Sequence, residues 1–326
     1  MIFDSLSSAS LQGGYDRFAS WFQTISQIRH ELDRTKQLGK LIRREKPETV
    51  SILDCACGLG LDAIDLASLD EFKFQVTGSD FSKEMIKFAR LNAAEKSSVV
   101  SFQQSDWREL PQNVEGTFDC VTNLGANIYH LQGDDLINAL LGMKQKLTPN
   151  GLLLIDNKKW KPLLQVQNGY RKVGYIENRD PIRSYGPHVL RALDGCLYYF
   201  FDVAWQEEDR WVIEVVRLPK DKVQNAISNN GYLVFSLHGL FVICTVNDNS
   251  FTVSISDAPQ GTIDRDFPYE KIAIAGWPIP SVEIARLLDQ IGMRDIKIVD
   301  KFVALENDPN SNKKGAYDVI MATNSK

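Results

Sequence analysis

The spacing of apolar residues changes along the chain, and each change marks a different kind of element. Between residues 15 and 46, apolar positions recur three or four residues apart, which is the spacing of one face of an α-helix. Pro47 ends this pattern because proline lacks the N–H that a continuing helix needs. We therefore expect residues 1–47 to form an N-terminal helical cap.

Short apolar segments then alternate with amphipathic ones as far as residue 160. Such alternation is typical of parallel βαβ units with right-handed crossovers. Ser82 provides a helix-capping signal in this region, and Pro149–Gly151 a stop signal. The predicted strands are 50–54, 74–80, 99–104, 118–124 and 152–156, and the predicted helices are 62–69, 83–96 and 134–147.

The pattern becomes strand-like from about residue 185 to residue 257. Two pairs of apolar runs flank short polar turns there, one at QEED and one at Asp248-Asn249, as in β-hairpins. A helix is predicted from Ser281 to Gly292, and two final strands follow it. The chain is therefore predicted to be an α/β protein with an inserted antiparallel β subdomain over residues 161–267.

Composition and charge narrow the functional classes. The 326 residues are 44% hydrophobic and 24% charged, which is ordinary for a globular protein, and the net charge is −5. A nucleic-acid-binding protein usually presents a basic face, so the acidic balance disfavours that class. The chain has no run of about 18 apolar residues and no basic, apolar signal at its start. We therefore expect no membrane span and a cytoplasmic location.

The five cysteines do not form a metal-binding pattern. Cys55 and Cys57 make a C-x-C pair, but no second pair of Cys or His stands nearby at the spacing of zinc ligands. Their odd number and mostly apolar surroundings instead predict buried thiols in a reducing compartment. We therefore expect no metal site.

A glycine-rich turn follows the first predicted strand. Cys55–Gly60 forms this turn, and Asp80 ends the next strand 20 residues after Gly60. A carboxylate at that position can accept hydrogen bonds from both hydroxyls of a ribose. Asp106 and Trp107 follow the third strand, where a polar and an aromatic group could hold an adenine. The arrangement predicts a nucleoside-containing cofactor at the carboxyl ends of the strands.

Two classes of cofactor are compatible with such a turn. Residues 58–63 also match the G-x-G-x-x-[GA] pattern of dinucleotide enzymes, whose turn and helix N-terminus contact a pyrophosphate. Here Asp54 precedes the turn and Asp62 opens the following helix. Two carboxylates repel a pyrophosphate but tolerate a sulfonium and an ammonium, so the charges favour S-adenosylmethionine over NAD.

The segments LDCACGLGLDAIDLA, VTGSDFSKEMIKFAR, NLGANIYHL and LLLIDNKKW, together with the Asp106-Trp107 pair, resemble class I S-adenosylmethionine-dependent methyltransferases. Within that class they are most similar to the glycine, sarcosine and dimethylglycine N-methyltransferases. The resemblance covers residues 15–160 and 267–324. It implies a Rossmann-like sheet of seven strands whose last strand is antiparallel.

The resemblance also implies which residues contact the cofactor. It makes residues 48–160 and 268–326 the cofactor-binding core, and it gives the insertion a role in substrate or dimer contacts. The implied ligands of S-adenosylmethionine are Arg29 for its carboxylate, Asp54, Gly58 and Gly60 for the methionyl part, Asp80 for the ribose, Asp106 and Trp107 for the adenine, and Leu124 through its backbone.

Two features depart from the glycine enzymes. Those enzymes carry an arginine after strand five that grips the substrate carboxylate, whereas this chain has Asn157-Lys158-Lys159 there. The inserted β region is also longer. The candidate substrate contacts are Tyr15, Trp21, Lys158, Lys159, Arg179 and Arg183. Aromatic residues in such a helix more often serve packing, and cations in such positions are more often solvated. The candidate residues near the reacting atoms are Asn127, Tyr129 and His130.

These features predict an enzyme that N-methylates an amino acid or a similar small amine. Its expected partner is a small-molecule acceptor, with no nucleic acid or membrane, and a homo-oligomer is possible. One alternative is a small-molecule O-methyltransferase, with or without a metal. The Asp156-Asn157 pair resembles a magnesium-binding pair, although the strand-four end offers Asn123 rather than an aspartate. A second alternative is a non-catalytic, cofactor-binding scaffold subunit.

Overall fold

The computed structural model describes residues 8–29, 32–160, 188–207, 209–237, 240–247, 250–256, 258–300 and 317–325. These residues form fourteen strands and eight α-helices. The strands are β1 Ser51–Cys55, β2 Gln75–Asp80, β3 Ser101–Gln104, β4 Phe118–Asn123, β5 Leu147–Lys158, β6 His188–Arg191, β7 Leu197–Glu207, β8 Arg210–Pro219, β9 Leu233–Leu237, β10 Leu240–Asn247, β11 Ser250–Ser256, β12 Glu270–Gly276, β13 Met293–Asp300 and β14 Tyr317–Asn324. The helices are α1 Ser8–Arg29, α2 Leu32–Glu45, α3 Leu61–Ala67, α4 Lys83–Glu95, α5 Leu110–Asn113, α6 Gly133–Gln145, α7 Lys220–Asn230 and α8 Ser281–Gln290.

The described chain divides into two compact units. The first takes in the described residues of Met1–Ala19, His30–Asn168 and Gly276–Lys326. Its sheet has seven strands in the order β13-β14-β5-β4-β1-β2-β3. The strands β1 to β5 are parallel, and β14 runs antiparallel to β5. The predicted seven-strand class I architecture, with its antiparallel last strand, is confirmed.

Both faces of this sheet are buried, which explains why its strands read as continuous apolar runs. Successive residues of a strand point to opposite faces. In β1, Ile52 therefore joins one hydrophobic cluster with residues of α2, α3 and α4. Leu53 joins another cluster with residues of α5, α6 and α8. The two layers of helices leave the carboxyl ends of β1, β2 and β4 as the rim where the glycine turn lies.

The second unit takes in the described residues of Ser20–Arg29 and Gly169–Ala275. It contains two antiparallel sheets, β12-β8-β7-β6 and β11-β10-β9, where the sequence analysis expects one. Both predicted hairpins are present, since β7 pairs with β8 and β10 with β11. The helix α7 was not predicted. It starts after Pro219, ends at Gly231 in a left-handed conformation and buries Val223.

The structure adds detail to two of the local predictions. The helical leader contains two helices, α1 and α2. The predicted stop signal Pro149–Gly151 follows the end of α6 at Gln145 and lies within β5, which begins earlier than predicted, at Leu147. Asn150 adopts a left-handed φ of 58°, and the pairing register between β4 and β5 shifts there, so these residues form a bulge.

The described helices include none that is both long and apolar enough to cross a membrane. Among the described residues there is likewise no group of three or more Cys, His, Asp or Glu side chains that could hold a metal ion.

The packing of α6 on the turn at Trp107 generates a stability prediction. A Cβ on Gly142 would collide with the Trp107 carbonyl oxygen, whereas a Cβ on Gly13 in α1 would meet nothing within 4 Å. We expect Gly142→Ala to lower the free energy of unfolding by about 1–3 kcal/mol through overpacking. The matched control Gly13→Ala should raise it by about 0.5–1 kcal/mol. Urea unfolding followed by circular dichroism measures both, and equal effects would contradict the close packing.

Candidate active site

The turn after β1 is built from residues in left-handed backbone conformations. Ala56, Gly58 and Gly60 have φ angles of 63°, 53° and 73°. A Cβ on Gly60 would lie 2.6 Å from two ring atoms of Phe102, so this position excludes any side chain. The helix α3 begins directly after Gly60. The turn therefore lies at the carboxyl edge of the sheet, with Gly60 packed against the Phe102 ring.

Asp80 ends β2 beside this turn and is 5% exposed. One carboxylate oxygen accepts a hydrogen bond from the Gly58 N–H and the other from the Ser82 N–H, each at 2.9 Å. Burial raises the pKa of Asp80 to about 6, and the two N–H groups oppose this effect. Asp80 is therefore mostly ionised at neutral pH, and each oxygen keeps a lone pair for a further donor such as a hydroxyl.

Asp54 lies in β1, just before the turn, and is 2% exposed. Its carboxylate accepts a hydrogen bond of 2.9 Å from the Thr122 hydroxyl. Burial raises the pKa of Asp54 to about 8, and the neighbouring charge of Asp62 adds to the shift. At neutral pH most of the molecules therefore carry a neutral Asp54, which a nearby cation would ionise.

A cation that the sequence analysis did not single out lies beside the turn. Arg34 on α2 places one guanidinium nitrogen 2.7 Å from a carboxylate oxygen of Asp156 and another 3.6 Å from Asp62. Burial alone would lower the pKa of Arg34, but these two carboxylates raise it above its usual value. The predicted cofactor ligand Arg29 ends α1, and its side chain lies outside the described residues.

Asp156 in β5 fixes the segment that follows β4. Its buried carboxylate accepts hydrogen bonds from the Gly125 and Ala126 N–H groups, at 3.1 and 2.6 Å, in addition to the bond from Arg34. Ala126 has a φ of 56°, a strained conformation for a residue with a side chain. The two hydrogen bonds to Asp156 hold this conformation in place.

The Asp156-Asn157 pair is committed to structural hydrogen bonds. The Asn157 amide nitrogen donates to the Ile279 carbonyl at 2.8 Å, and its oxygen accepts from the Trp160 indole N–H at 3.3 Å. Asn157 is fully buried. Both side chains are thus already engaged in hydrogen bonds within the protein, and this arrangement does not favour the metal-dependent alternative.

The predicted residue Asn127 joins the two segments just described. Its amide nitrogen donates to the Leu124 carbonyl at 2.6 Å and to the Ala56 carbonyl at 3.3 Å. It also opens a short 3₁₀ turn, Asn127–His130. The backbone oxygen of Leu124, a predicted cofactor contact, is thus hydrogen-bonded to Asn127.

Tyr15 and His130 meet although 115 residues separate them. The Tyr15 hydroxyl lies 2.5 Å from His130 Nε2, and the two rings pack edge to face with centroids 5.4 Å apart. Tyr129 lies against the other side of this pair, with its ring centroid 4.1 Å from that of His130. The neighbouring residue Asp16 accepts a hydrogen bond of 2.5 Å from the Ser82 hydroxyl. Two consecutive residues of α1 thus contact the segments that follow β2 and β4.

The two lysines at the end of β5 have different environments. Lys158 places its ammonium 4.9 Å from the ring centroid of Tyr129 and 5.4 Å from that of Trp160. Lys159 forms an ion pair of 3.7 Å with Asp318. Gly276 packs so closely on Tyr129 that a Cβ there would collide with both the ring and the backbone oxygen of Tyr129. Lys158 is therefore the cation that faces the aromatic residues after β4.

The predicted adenine contacts are largely engaged within the protein. Asp106 accepts hydrogen bonds from the Arg108 backbone N–H and guanidinium, at 2.5–2.9 Å. Burial raises the pKa of Asp106, but the hydrogen bonds and the positive charge of Arg108 outweigh burial and lower it. Trp107 is 7% exposed and belongs to the core cluster with Leu110 and Leu140. Its indole N–H has no hydrogen-bond partner among the described residues.

Three predicted substrate contacts remain: Trp21, Arg179 and Arg183. Trp21 belongs to the second unit, where Arg217 lies 4.5 Å from its ring centroid and Phe200 packs edge to face on it. Arg179 and Arg183 lie outside the described residues.

Known proteins share this core. Residues 52–151 match a family described as a methyltransferase domain. The glycine/sarcosine N-methyltransferase of Halorhodospira halochloris is 26% identical over 212 residues, which are 64% of this chain and 75% of that protein. The enzyme of the same name from Parasynechococcus marenigrum is 33% identical over 154 residues, 47% of this chain and 54% of that protein.

A solved structure shows the same fold. An S-adenosylmethionine-dependent methyltransferase from Clostridium acetobutylicum superposes with a TM-score of 0.56 at 14% identity, covering 96% of this chain and 99% of that chain. Sequence similarity, strand order and the glycine turn with its strand-two carboxylate lead to the same assignment. These similarities support the assignment of the chain as an S-adenosylmethionine-dependent methyltransferase with the class I fold, related to the glycine/sarcosine N-methyltransferases.

Proposed function

We propose that this protein is a cytoplasmic N-methyltransferase whose acceptor is a small amine that also bears a carboxylate. The single observation that carries the proposal is Lys158, a cation over the Tyr129 and Trp160 rings beside the 3₁₀ turn after β4. The glycine/sarcosine N-methyltransferases to which the chain is related are named for acceptors of this chemistry. The five cysteines are all free thiols, as expected in a reducing compartment.

The residues of the glycine turn fit the cofactor. When bound, S-adenosylmethionine supplies an electrophilic methyl group on a cationic sulfonium. Asp80 would accept hydrogen bonds from the ribose hydroxyls. Each of its oxygens accepts one backbone N–H bond and retains a second lone pair for a hydroxyl. Arg34 would hold the methionyl carboxylate, a role predicted for Arg29, because its guanidinium lies beside Asp62 at the start of α3.

The protein's own contribution to the transfer would be binding and alignment. Lys158 would fix the acceptor carboxylate by charge, and Asn127 would hold the glycine turn and the segment after β4 at a constant separation. A carboxylate held at Lys158 places the amine of a small amino acid a few ångströms away, within reach of the aromatic residues of the 3₁₀ turn.

A screen with matched acceptors tests the proposed function. The purified protein would be incubated with methyl-labelled S-adenosylmethionine and an amino acid, its decarboxylated amine or its 2-hydroxy acid, each with and without EDTA. We expect nitrogen methylation of the amino acid, weaker methylation of the amine and none of the hydroxy acid. EDTA should have no effect. Methylation restricted to hydroxyl acceptors, or its loss with EDTA, would contradict the proposal.

The raised pKa of Asp54 predicts a proton released on cofactor binding. With a pKa of about 8, Asp54 is roughly nine-tenths protonated at pH 7, and a bound cation would ionise it. We expect calorimetry in buffers of different ionisation enthalpy to show nearly one proton released per S-adenosylmethionine. Affinity should rise severalfold from pH 7 to pH 8, because the proton cost disappears as Asp54 ionises.

Asp54→Asn is the control for this measurement, since it keeps the shape of the side chain and cannot ionise. It should release almost no proton and show a flat affinity across the same pH range. Equal proton release by the two proteins would assign the proton to another group.

The contrast between the two lysines predicts unequal effects on the acceptor. Lys158→Met should raise the acceptor KM by about tenfold to a hundredfold, because it removes a charge-assisted contact to a carboxylate. Lys159→Met should change it by less than about threefold, because Lys159 is in an ion pair with Asp318. Steady-state kinetics with the amino acid measures both variants.

The decarboxylated amine is the internal control. Its KM should be insensitive to Lys158→Met, and the KM for S-adenosylmethionine should stay unchanged in both lysine variants. A larger effect of Lys159→Met, or an equal effect of Lys158→Met on both acceptors, would show that Lys158 is not the carboxylate anchor.

A further inference from the structure

The contact between Tyr15 and His130 joins a phenol and an imidazole at hydrogen-bond distance. The Tyr15 oxygen lies 2.5 Å from His130 Nε2. Burial raises the pKa of the Tyr15 hydroxyl well above its usual value, and Tyr129 and Asp80 add to the shift. The hydroxyl therefore keeps its proton at neutral pH and can donate it to Nε2. In that arrangement His130 is a neutral imidazole whose proton is on Nδ1.

The groups around this pair come from four elements. Tyr15 is on α1, and Asp80, whose charge acts on it, ends β2. His130 and Tyr129 are on the 3₁₀ turn after β4, with ring centroids 4.1 Å apart. Lys158 on β5 lies over the Tyr129 ring. Tyr15 thus stands between the carboxylate beside the glycine turn and the histidine of the turn beside Lys158.

An amine acceptor brings a proton that must leave before its nitrogen can react, because an ammonium has no lone pair. The nearby carboxylates are poorly suited to take it. Asp156 accepts three hydrogen bonds, one of them from Arg34. Asp80 accepts two from backbone N–H groups. His130 Nε2, in contrast, faces the Tyr15 hydroxyl, and a relay can shift the hydroxyl hydrogen fully onto the ring.

We propose that Tyr15 relays the acceptor's proton to His130. This inference rests on the proposed N-methylation. The acceptor N–H bond breaks as a new O–H bond forms on Tyr15, and the original Tyr15 O–H bond breaks as an N–H bond forms on His130 Nε2. The amine becomes neutral with a free lone pair, Tyr15 is unchanged, and His130 becomes an imidazolium that later returns its proton to solvent. Tyr15 is the catalytic residue of the pair, and His130 acts through it.

The hydrogen-bond arrangement can be measured without any acceptor. The chain has four histidines, so ¹⁵N-histidine NMR of the protein bound to S-adenosylhomocysteine can assign each ring by single substitutions. We expect His130 to be the neutral Nδ1–H tautomer, and Tyr15→Phe to shift its Nε2 resonance. An Nε2–H tautomer, or an Nε2 resonance that Tyr15→Phe leaves unchanged, would overturn the relay whatever the acceptor is.

The pH profile tests the relay during turnover. At pH 7, Tyr15→Phe and His130→Gln should each lower kcat/KM by about a hundredfold or more, which is the range of general-base catalysis. The double variant should be no worse than either single one, because the two residues act as one unit. Above the pKa of the acceptor amine, the variants should recover to within about threefold of the wild type, since the amine is then already neutral. A loss that persists at high pH would show a structural role and overturn the relay.

Tyr269→Phe is the matched control, because the Tyr269 hydroxyl donates to the Ser236 carbonyl in the second unit. Its kcat/KM should equal that of the wild type at every pH.

Failure of the proposed function would give a different result from failure of the relay. If only hydroxyl acceptors are methylated, N-methylation is wrong, but a relay that serves the hydroxyl still shows the same recovery above that acceptor's pKa. Methylation of a carboxylate, which has no proton to lose at neutral pH, with unimpaired Tyr15→Phe would overturn the relay itself.

Discussion

The buried carboxylate of Asp156 is the interaction on which the site depends. It holds Arg34 on one side and two backbone N–H groups on the other, at the end of a strand in the middle of the sheet. An unpaired carboxylate at this depth would be costly, so its three donors stabilise the ion and are in turn fixed by it. The strained backbone at Ala126 and the 3₁₀ turn that carries His130 follow directly from this anchor.

The glycine turn carries less negative charge in the structure than the sequence alone indicates. The sequence argument against a pyrophosphate counts two bare carboxylates, Asp54 and Asp62. In the structure, burial leaves Asp54 mostly protonated at neutral pH, and Asp62 is paired with Arg34. The repulsion is therefore weaker than expected, and under the proposed function the preference for a sulfonium depends on the ionisation of Asp54 when a cation arrives.

The sequence was sufficient where chemistry and local pattern coincide. The glycine turn and Asp80 lie in consecutive βαβ units, so their spacing alone brings them together. Arg34 was missed because a single arginine on an amphipathic helix looks like any solvated charge until the helix is packed. The Tyr15–His130 contact joins residues that are 115 positions apart in the sequence, and no local pattern encodes such a pairing. The helix α7 had start and stop signals in the sequence, Pro219 before it and Gly231 after it. The strand-like segments on both sides obscured them.

The contact between Gly276 and Tyr129 limits the substitutions that this protein can accept. A side chain at position 276 would collide with the backbone oxygen of residue 129 as well as with its ring. A smaller residue at 129 cannot relieve the backbone part of that collision. The Trp277 N–H also bonds to the same oxygen, at 2.6 Å, and keeps the two segments together. Any relative that preserves this backbone bond is therefore confined to glycine at position 276, whichever side chain stands at position 129.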